Sequence, residues 1–222
     1  TCGGETSDEI KAIRWAAGLP VDGIPMNPTP ARVLNLSLGG EGPCSDLEQS
    51  AINDVVAAGA IVVVAAGNDG ADACNYSPAS APNAITVAAS TSIDRDATFS
   101  NIGACVDIFA PGDLILSAGF SSSTSASTKS GTSMAAPFVA GAAALVLQKN
   151  FSGYGNKLDA NSLVRDTLVN NAIPGALTDS EGYNSWWSNT PNKLLYLPFL
   201  SLSTQTTLQI SNTSLNLETN VG

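Results

Sequence analysis

No histidine occurs among the 222 residues. That absence removes the usual general base for a serine or cysteine nucleophile and the commonest nitrogen ligand of zinc. Charge is also sparse: 13% of residues are charged, with 9 Lys and Arg against 19 Asp and Glu, for a net charge of −10. Such an acidic chain is expected to bind neither nucleic acid nor an anionic membrane surface. It suits cation binding, although acidity alone shows no site. The cysteines are Cys2, Cys44, Cys74 and Cys105, and no CxxC pair occurs. Without histidine, this disfavours zinc. An even number suits two disulfides in an exported protein, with three connectivities open. Long apolar runs are missing too. The longest small-or-apolar stretch, Met134 to Leu147, has fourteen residues and contains Pro137 and Gly141. A bilayer span asks for about 20, so a core helix is the better reading. No segment reads as a signal peptide.

What is present is a globular composition, 44% hydrophobic, and enough chain for one sizeable domain. The segment Ser130-Gly131-Thr132-Ser133-Met134-Ala135-Ala136-Pro137 begins as a polar turn and runs into the apolar stretch. Pro137 falls near the first helical turn, where a missing N–H costs little. A serine at the mouth of a rigid helix is a candidate nucleophile, and Ser133 is that serine. The simpler alternative is a buried helix that happens to start with serine. Lacking histidine, either Ser133 is not a nucleophile, its base is unusual, or the chain is a fragment.

The rest of the chain alternates. Thr6 and Glu9 stand at capping-box spacing and predict a helix that ends before Gly18. Pro20, Gly23, Pro25, Pro28 and Pro30 mark a loop. Arg32 to Leu38 reads as a strand ending in Gly39-Gly40, residues 45–58 as a helix, and Ala60 to Ala66 as a strand buried on both faces. Ala84 to Ala88 and Val106 to Ala110 are further strands. Gly119 to Lys129 reads as a Ser/Thr-rich loop. Residues 160–171 form another helix, followed by an aromatic stretch with Tyr183, Trp186 and Trp187, and a last strand from Leu194 to Leu197. After Pro198 the sequence alternates in a β pattern. Strands alternating with helices predict an α/β fold with a mostly parallel sheet. Glycosylation sequons stand at Asn75, Asn150 and Asn212.

Four segments carry a resemblance: Leu36-Ser37-Leu38-Gly39-Gly40, Ala65-Ala66-Gly67-Asn68, Asp107-Ile108-Phe109-Ala110-Pro111-Gly112 and the Ser133 motif. In this order they resemble the subtilisin-like serine proteases, and most of all their proteinase K branch. The resemblance implies a three-layer α/β/α sandwich, with residues 1–197 forming the C-terminal two-thirds of a catalytic domain. Residues 198–222 would be a β-prone tail or the start of a following module. It implies Ser133 as the nucleophile and Asn68 as the oxyanion donor. Leu38, Gly39 and Gly40 would line an edge where substrate lies as an added strand. Ala65, Ala66 and Gly67 would wall a roomy apolar specificity pocket. Calcium would be held by the carbonyls of Pro82 and Ala84 and the side chain of Asp107. Cys74 would pair with Cys105 as in bacterial thermostable members, leaving Cys2 for Cys44. A secreted monomer that cleaves peptides or proteins, with a propeptide inhibitor, completes the expectation.

The sequence also departs from that family. The family's Asp and His lie upstream of a segment like Thr1-Cys2-Gly3-Gly4, so the chain reads as N-terminally truncated. Proton transfer would then be missing from these residues alone. Phe138 stands where the family has histidine, and is expected to be a packing substitution. Two alternatives compete. A sedolisin-type Ser-Glu-Asp peptidase needs no histidine but is expected to carry Asp at the oxyanion position, where this chain has Asn68. A catalytically incomplete binding or scaffold module would need neither Ser133 nor Asn68. Lys129 as a base is disfavoured by its place in a polar loop.

Overall fold

The computed structural model describes residues 4–150, 160–180, 187–197, 207–211 and 214–218. In chain order the elements are α1 (Thr6–Ala16), β1 (Val33–Leu36), β2 (Gly40–Glu41), α2 (Asp46–Ala57), β3 (Ile61–Ala65), β4 (Tyr76–Ser77), β5 (Ile85–Ser90), β6 (Ile108–Pro111), β7 (Ile115–Ala118) and β8 (Ala126–Lys129). There follow α3 (Thr132–Asn150), α4 (Ala160–Asn171), β9 (Ile173–Pro174), β10 (Lys193–Leu194), β11 (Thr207–Ser211) and β12 (Ser214–Glu218).

Six strands form one sheet in the order β1-β3-β5-β6-β10-β9. All neighbours are parallel except β10 and β9. Successive side chains of a strand point to opposite faces, and β3 separates the layers accordingly. Ile61, Val63 and Ala65 pack with Ala135, Val139, Ala142 and Ala143 of α3 and with Val164 and Leu168 of α4. Val62 and Val64 pack on the other face with Ile13 of α1 and Ala51, Ile52 and Val55 of α2. The result is the expected three-layer α/β arrangement, with the central strand buried throughout.

Several local expectations change. The α1 N-cap is Glu5, with no side-chain cap bond, so Thr6 does not form the predicted capping box. At α2 the Ser45 side chain does accept from the Glu48 amide, at 3.3 Å. The stretch read as a Ser/Thr loop contributes β8, which pairs antiparallel with β7. Its sequence hid the strand because neither face is buried, so no apolar alternation marks it. The α3 helix is not buried on all sides. Pro137, Phe138, Gly141, Ala144 and Gln148 form an exposed stripe at helical spacing, and Phe138 is 45% exposed rather than packed. Ala and Gly read as apolar, but are small enough to face solvent at little cost. No helix among the described residues is long and apolar enough to cross a bilayer. Tyr183 and Trp186 lie outside the described residues. So does the sequon at Asn212, whereas that at Asn75 sits exposed at the edge of β4.

Candidate active site

The C-terminal ends of β1 and β3 converge on the first turn of α3. There they enclose a cleft of about 350 Å³, whose lining includes Leu38, Gly39, Gly40, Ala65, Ala66, Gly67, Asn68 and Ser133. Eight residues singled out from three separated motifs therefore share one cavity. Outside those motifs, Asp69, Tyr76 and Ser77 also line it.

Glycine geometry explains how close the walls lie. Gly67 has φ +107°, and a Cβ there would stand 2.2 Å from Asn101 Nδ2, so only glycine fits. Gly112 lets the turn after β6 pack under α3: a Cβ there would stand 2.5 Å from the Ala89 Cβ. The Gly131 amide donates to the Gly112 carbonyl at 2.8 Å. Ser130 Oγ donates to Asp113 and accepts from the Leu114 amide. These bonds aim the N-terminus of α3 at the cleft. At Gly39 a Cβ would come 2.7 Å from the Ser77 carbonyl. That glycine is therefore dictated by the neighbouring β4, while Gly40 faces open space and pairs with Ser77. Leu38 is 45% exposed.

Ser133 Oγ donates to the Ser37 carbonyl at 3.3 Å, a long bond. In return, Ser37 Oγ donates to the Ser133 carbonyl at 2.8 Å. Asn68 is oriented more firmly. Its Oδ1 accepts from the Thr132 amide at 2.8 Å and the Thr132 hydroxyl at 3.0 Å, and the same hydroxyl accepts from the Gly67 amide at 3.2 Å. With Oδ1 engaged, the Asn68 amide nitrogen is the end left to donate.

Behind the cleft, the fully buried Asn101 secures the 66–71 turn. Its Oδ1 accepts from the Asp69 and Ala71 amides at 3.0 Å each, and its Nδ2 donates to the Ala66 carbonyl at 3.0 Å. Sequence reading missed Thr132 and Ser37, both inside quoted motifs, as orienting residues, and missed Asn101 and Arg165 altogether. For Thr132 a signal existed, since it sits inside the serine motif.

Among the described residues no side-chain base is hydrogen-bonded to Ser133, whose Oγ donates to the Ser37 carbonyl. Among the described lining residues only Asp69 and Tyr76 ionise in the ordinary sense. Desolvation and the Asp69 carboxylate push the Tyr76 phenol above its usual value, which keeps it protonated at neutral pH. Lys129, at the end of β8, does not line the cleft.

Cys74 and Cys105 are joined by a disulfide with Cα atoms 5.2 Å apart. The expected partner of Cys44, Cys2, lies outside the described residues. Among the described residues Cys44 is unbonded, with its Sγ directed at the Ser45 carbonyl at 3.8 Å. Burial, and then the Glu48 carboxylate, push the Cys44 thiol up to about 11. Only thiolate reacts with iodoacetamide. Alkylation of Cys44 near pH 8.5 is therefore expected to be about 100-fold slower than that of an unhindered cysteine, and to keep rising through pH 10. Mass-spectrometric quantification without reductant checks this; a cysteine that never alkylates, even in denaturant, would instead indicate a bond.

The calcium ligand set does not fit an ion as expected. The Pro82 carbonyl accepts from Arg165 Nη1 at 2.8 Å, and Asp107 Oδ1 is ion-paired with Arg165 Nη2. Asp107 Oδ2 accepts from the Thr86 amide at 2.8 Å. Burial pushes the Asp107 carboxyl above the ordinary value, against the opposing pull of Arg165 and the Thr86 amide.

The chain is similar to known proteins over most of its length. The subtilase family profile matches residues 1–209. The extracellular serine proteinase of a Thermus species is 46% identical over 88% of this chain, which covers 42% of that protein. The extracellular protease of Xanthomonas campestris pv. campestris is 50% identical over 65% of the chain, covering 26% of that protein. Among solved structures, proteases from Pseudoalteromonas arctica superpose with a TM-score of 0.76 at 35% identity, over 88% of this chain and 57% of theirs. The chain thus spans less than half the length of these two sequence relatives. Sheet order, cleft and sequence similarity together assign it: the chain belongs to the subtilase family.

Proposed function

We propose that the cleft is the acyl-transfer half of a secreted serine endopeptidase. Ser133 Oγ attacks the peptide carbonyl. The carbonyl oxygen, as it becomes an anion, accepts from Asn68 Nδ2 and from the Ser133 amide, a first-turn N–H that helix geometry leaves without an intrahelical acceptor. The helix dipole adds partial positive charge at the same place. Collapse of the tetrahedral intermediate releases the amine and leaves an acyl-enzyme, which water then hydrolyses. The observation that carries this reading is the clamp on Asn68: Thr132 holds Oδ1 with two donors, so the donating end of the amide faces the cleft it shares with Ser133. A binding module would gain nothing from that clamp, and a sedolisin would carry a carboxylate there.

An extended peptide would lie along Leu38–Gly40 by strand addition, and the small Ala65, Ala66 and Gly67 leave room for a large apolar side chain. The base and its orienting acid come from a histidine and an aspartate outside these residues. A groove of about 1000 Å³ runs along Val33–Leu36 of β1, at the edge of the sheet, and is where a strand carrying the aspartate would lie. The relatives named extracellular support secretion.

A fluorophosphonate probe is the direct test. It is expected to label the protease that includes the histidine-bearing segment, at Ser133, and to label the 222-residue chain slowly or not at all. Rapid stoichiometric labelling of that chain would show that the base lies within it.

A further inference from the structure

Arg165 stands on α4 with its side chain 35% exposed. Its guanidinium joins two segments far apart in sequence. Nη1 donates to the Pro82 carbonyl at 2.8 Å, and Nη2 is ion-paired with Asp107 Oδ1, at the entry to β6. One turn earlier on the same face of α4, Asn161 is 3% exposed and donates from Nδ2 to the Asn83 carbonyl at 2.9 Å. Two side chains of α4 therefore hold two consecutive carbonyls, Pro82 and Asn83.

Those carbonyls end a segment with a job in the cleft. Its start is tied by the Cys74–Cys105 disulfide, and Thr86 Oγ1 holds its middle through the Ala79 carbonyl at 2.8 Å. Between these ties lie Tyr76 and Ser77, which line the cleft beside Ser133. Whatever holds Pro82 therefore helps to set the position of a cleft wall.

The family resemblance puts a calcium ion among the carbonyls of Pro82 and Ala84 and the Asp107 carboxylate. A calcium ion needs six to eight oxygens at about 2.3–2.6 Å. Here a carbonyl and a carboxylate oxygen from that set already receive the two ends of one planar cation. An ion placed between them would displace the guanidinium or sit against its positive charge.

We propose that Arg165 takes the place of the ion: its guanidinium is a built-in cation that pins the 75–84 segment to β6, so this position needs no calcium. The pin carries no entropy of ion capture, and chelators cannot remove it.

The test reads melting temperature and needs no catalysis, so it stands apart from the proposed protease activity. The parent chain, Arg165→Ala, Asp107→Asn and the double variant would each be melted in EDTA and in millimolar calcium chloride. Arg165→Ala is expected to melt lower in EDTA and to gain a calcium response. That gain is about 5–10 °C at roughly 100 times the dissociation constant. The double variant, without the carboxylate, is expected to lose the gain. An Arg165→Ala chain whose calcium response does not exceed the parent's overturns the proposal. If Arg165→Ala does not fold, calcium calorimetry on the parent and on Asp107→Asn decides. Identical isotherms support the proposal, and a binding event present in the parent but lost in Asp107→Asn overturns it.

Discussion

Ser133→Ala is expected to lower kcat by about 10⁶-fold in the protease that includes its histidine and aspartate, since losing the nucleophile disables the whole proton-transfer unit. The expected change in stability is small, within about 0.5 kcal/mol. Ser133 Oγ makes one long bond, at 3.3 Å to the Ser37 carbonyl, and the contacts that start α3 do not use it. Met134 N–H donates to the Gly131 carbonyl at 2.9 Å, and Thr132 bonds to Asn68 and Gly67. Turnover and melting temperature measured on one preparation separate the two roles. An alanine variant that keeps substantial turnover at an unchanged melting temperature would mean that another group is the nucleophile. The long Ser133–Ser37 contact also fits the chemistry, because a hydroxyl waiting for an imidazole is poorly served by the carbonyl that now accepts its proton.

The next largest effect is expected at Asn68. Asn68→Ala removes a donor to the developing oxyanion and should cost about 10²–10³ in kcat while leaving KM nearly unchanged, because the interaction strengthens only as charge develops. Asn68→Asp keeps the shape but cannot donate when ionised, and should fall at least as far at neutral pH. A variant active at neutral pH with Asp in place would favour sedolisin-like chemistry. Thr132→Val tests the clamp. It removes one of the two donors to Asn68 Oδ1 and the acceptor of the Gly67 amide, and about a tenfold loss in kcat is expected. A Thr132→Val loss that persists in full on top of Asn68→Ala would point to fold damage rather than orientation. In the intended case the threonine change adds little once Asn68 is gone.

Motif residues needed little from the tertiary structure to be found. The glycines and small residues of Ser37–Gly40, Ala65–Asn68 and Gly131–Ser133 stand in short contiguous runs, so their pattern survives in the linear sequence even where, as at Gly39 and Gly67, a distant neighbour is what demands glycine. The same holds for the buried strands: Ile61–Ala65 is apolar on both faces because both faces of the sheet are covered. Composition likewise disfavoured a zinc site and a bilayer span, and the absence of histidine removed the usual base for Ser133 from these residues.

What only the fold decided are the bonds between distant residues. Thr132 reaches Asn68 across 64 positions, Asn101 reaches the 66–71 turn across 30 to 35, and Arg165 reaches Asp107 across 58 and Pro82 across 83. Polar side chains of this kind leave no periodic signature. Whether each satisfies a backbone group, caps a turn or replaces an ion depends on what the sheet and helices bring beside it. The exposed stripe of α3 belongs to the same class. Local sequence determined the cleft's lining and its lack of histidine. Tertiary packing decided which side chains aim that lining, and that the place expected for calcium holds an arginine.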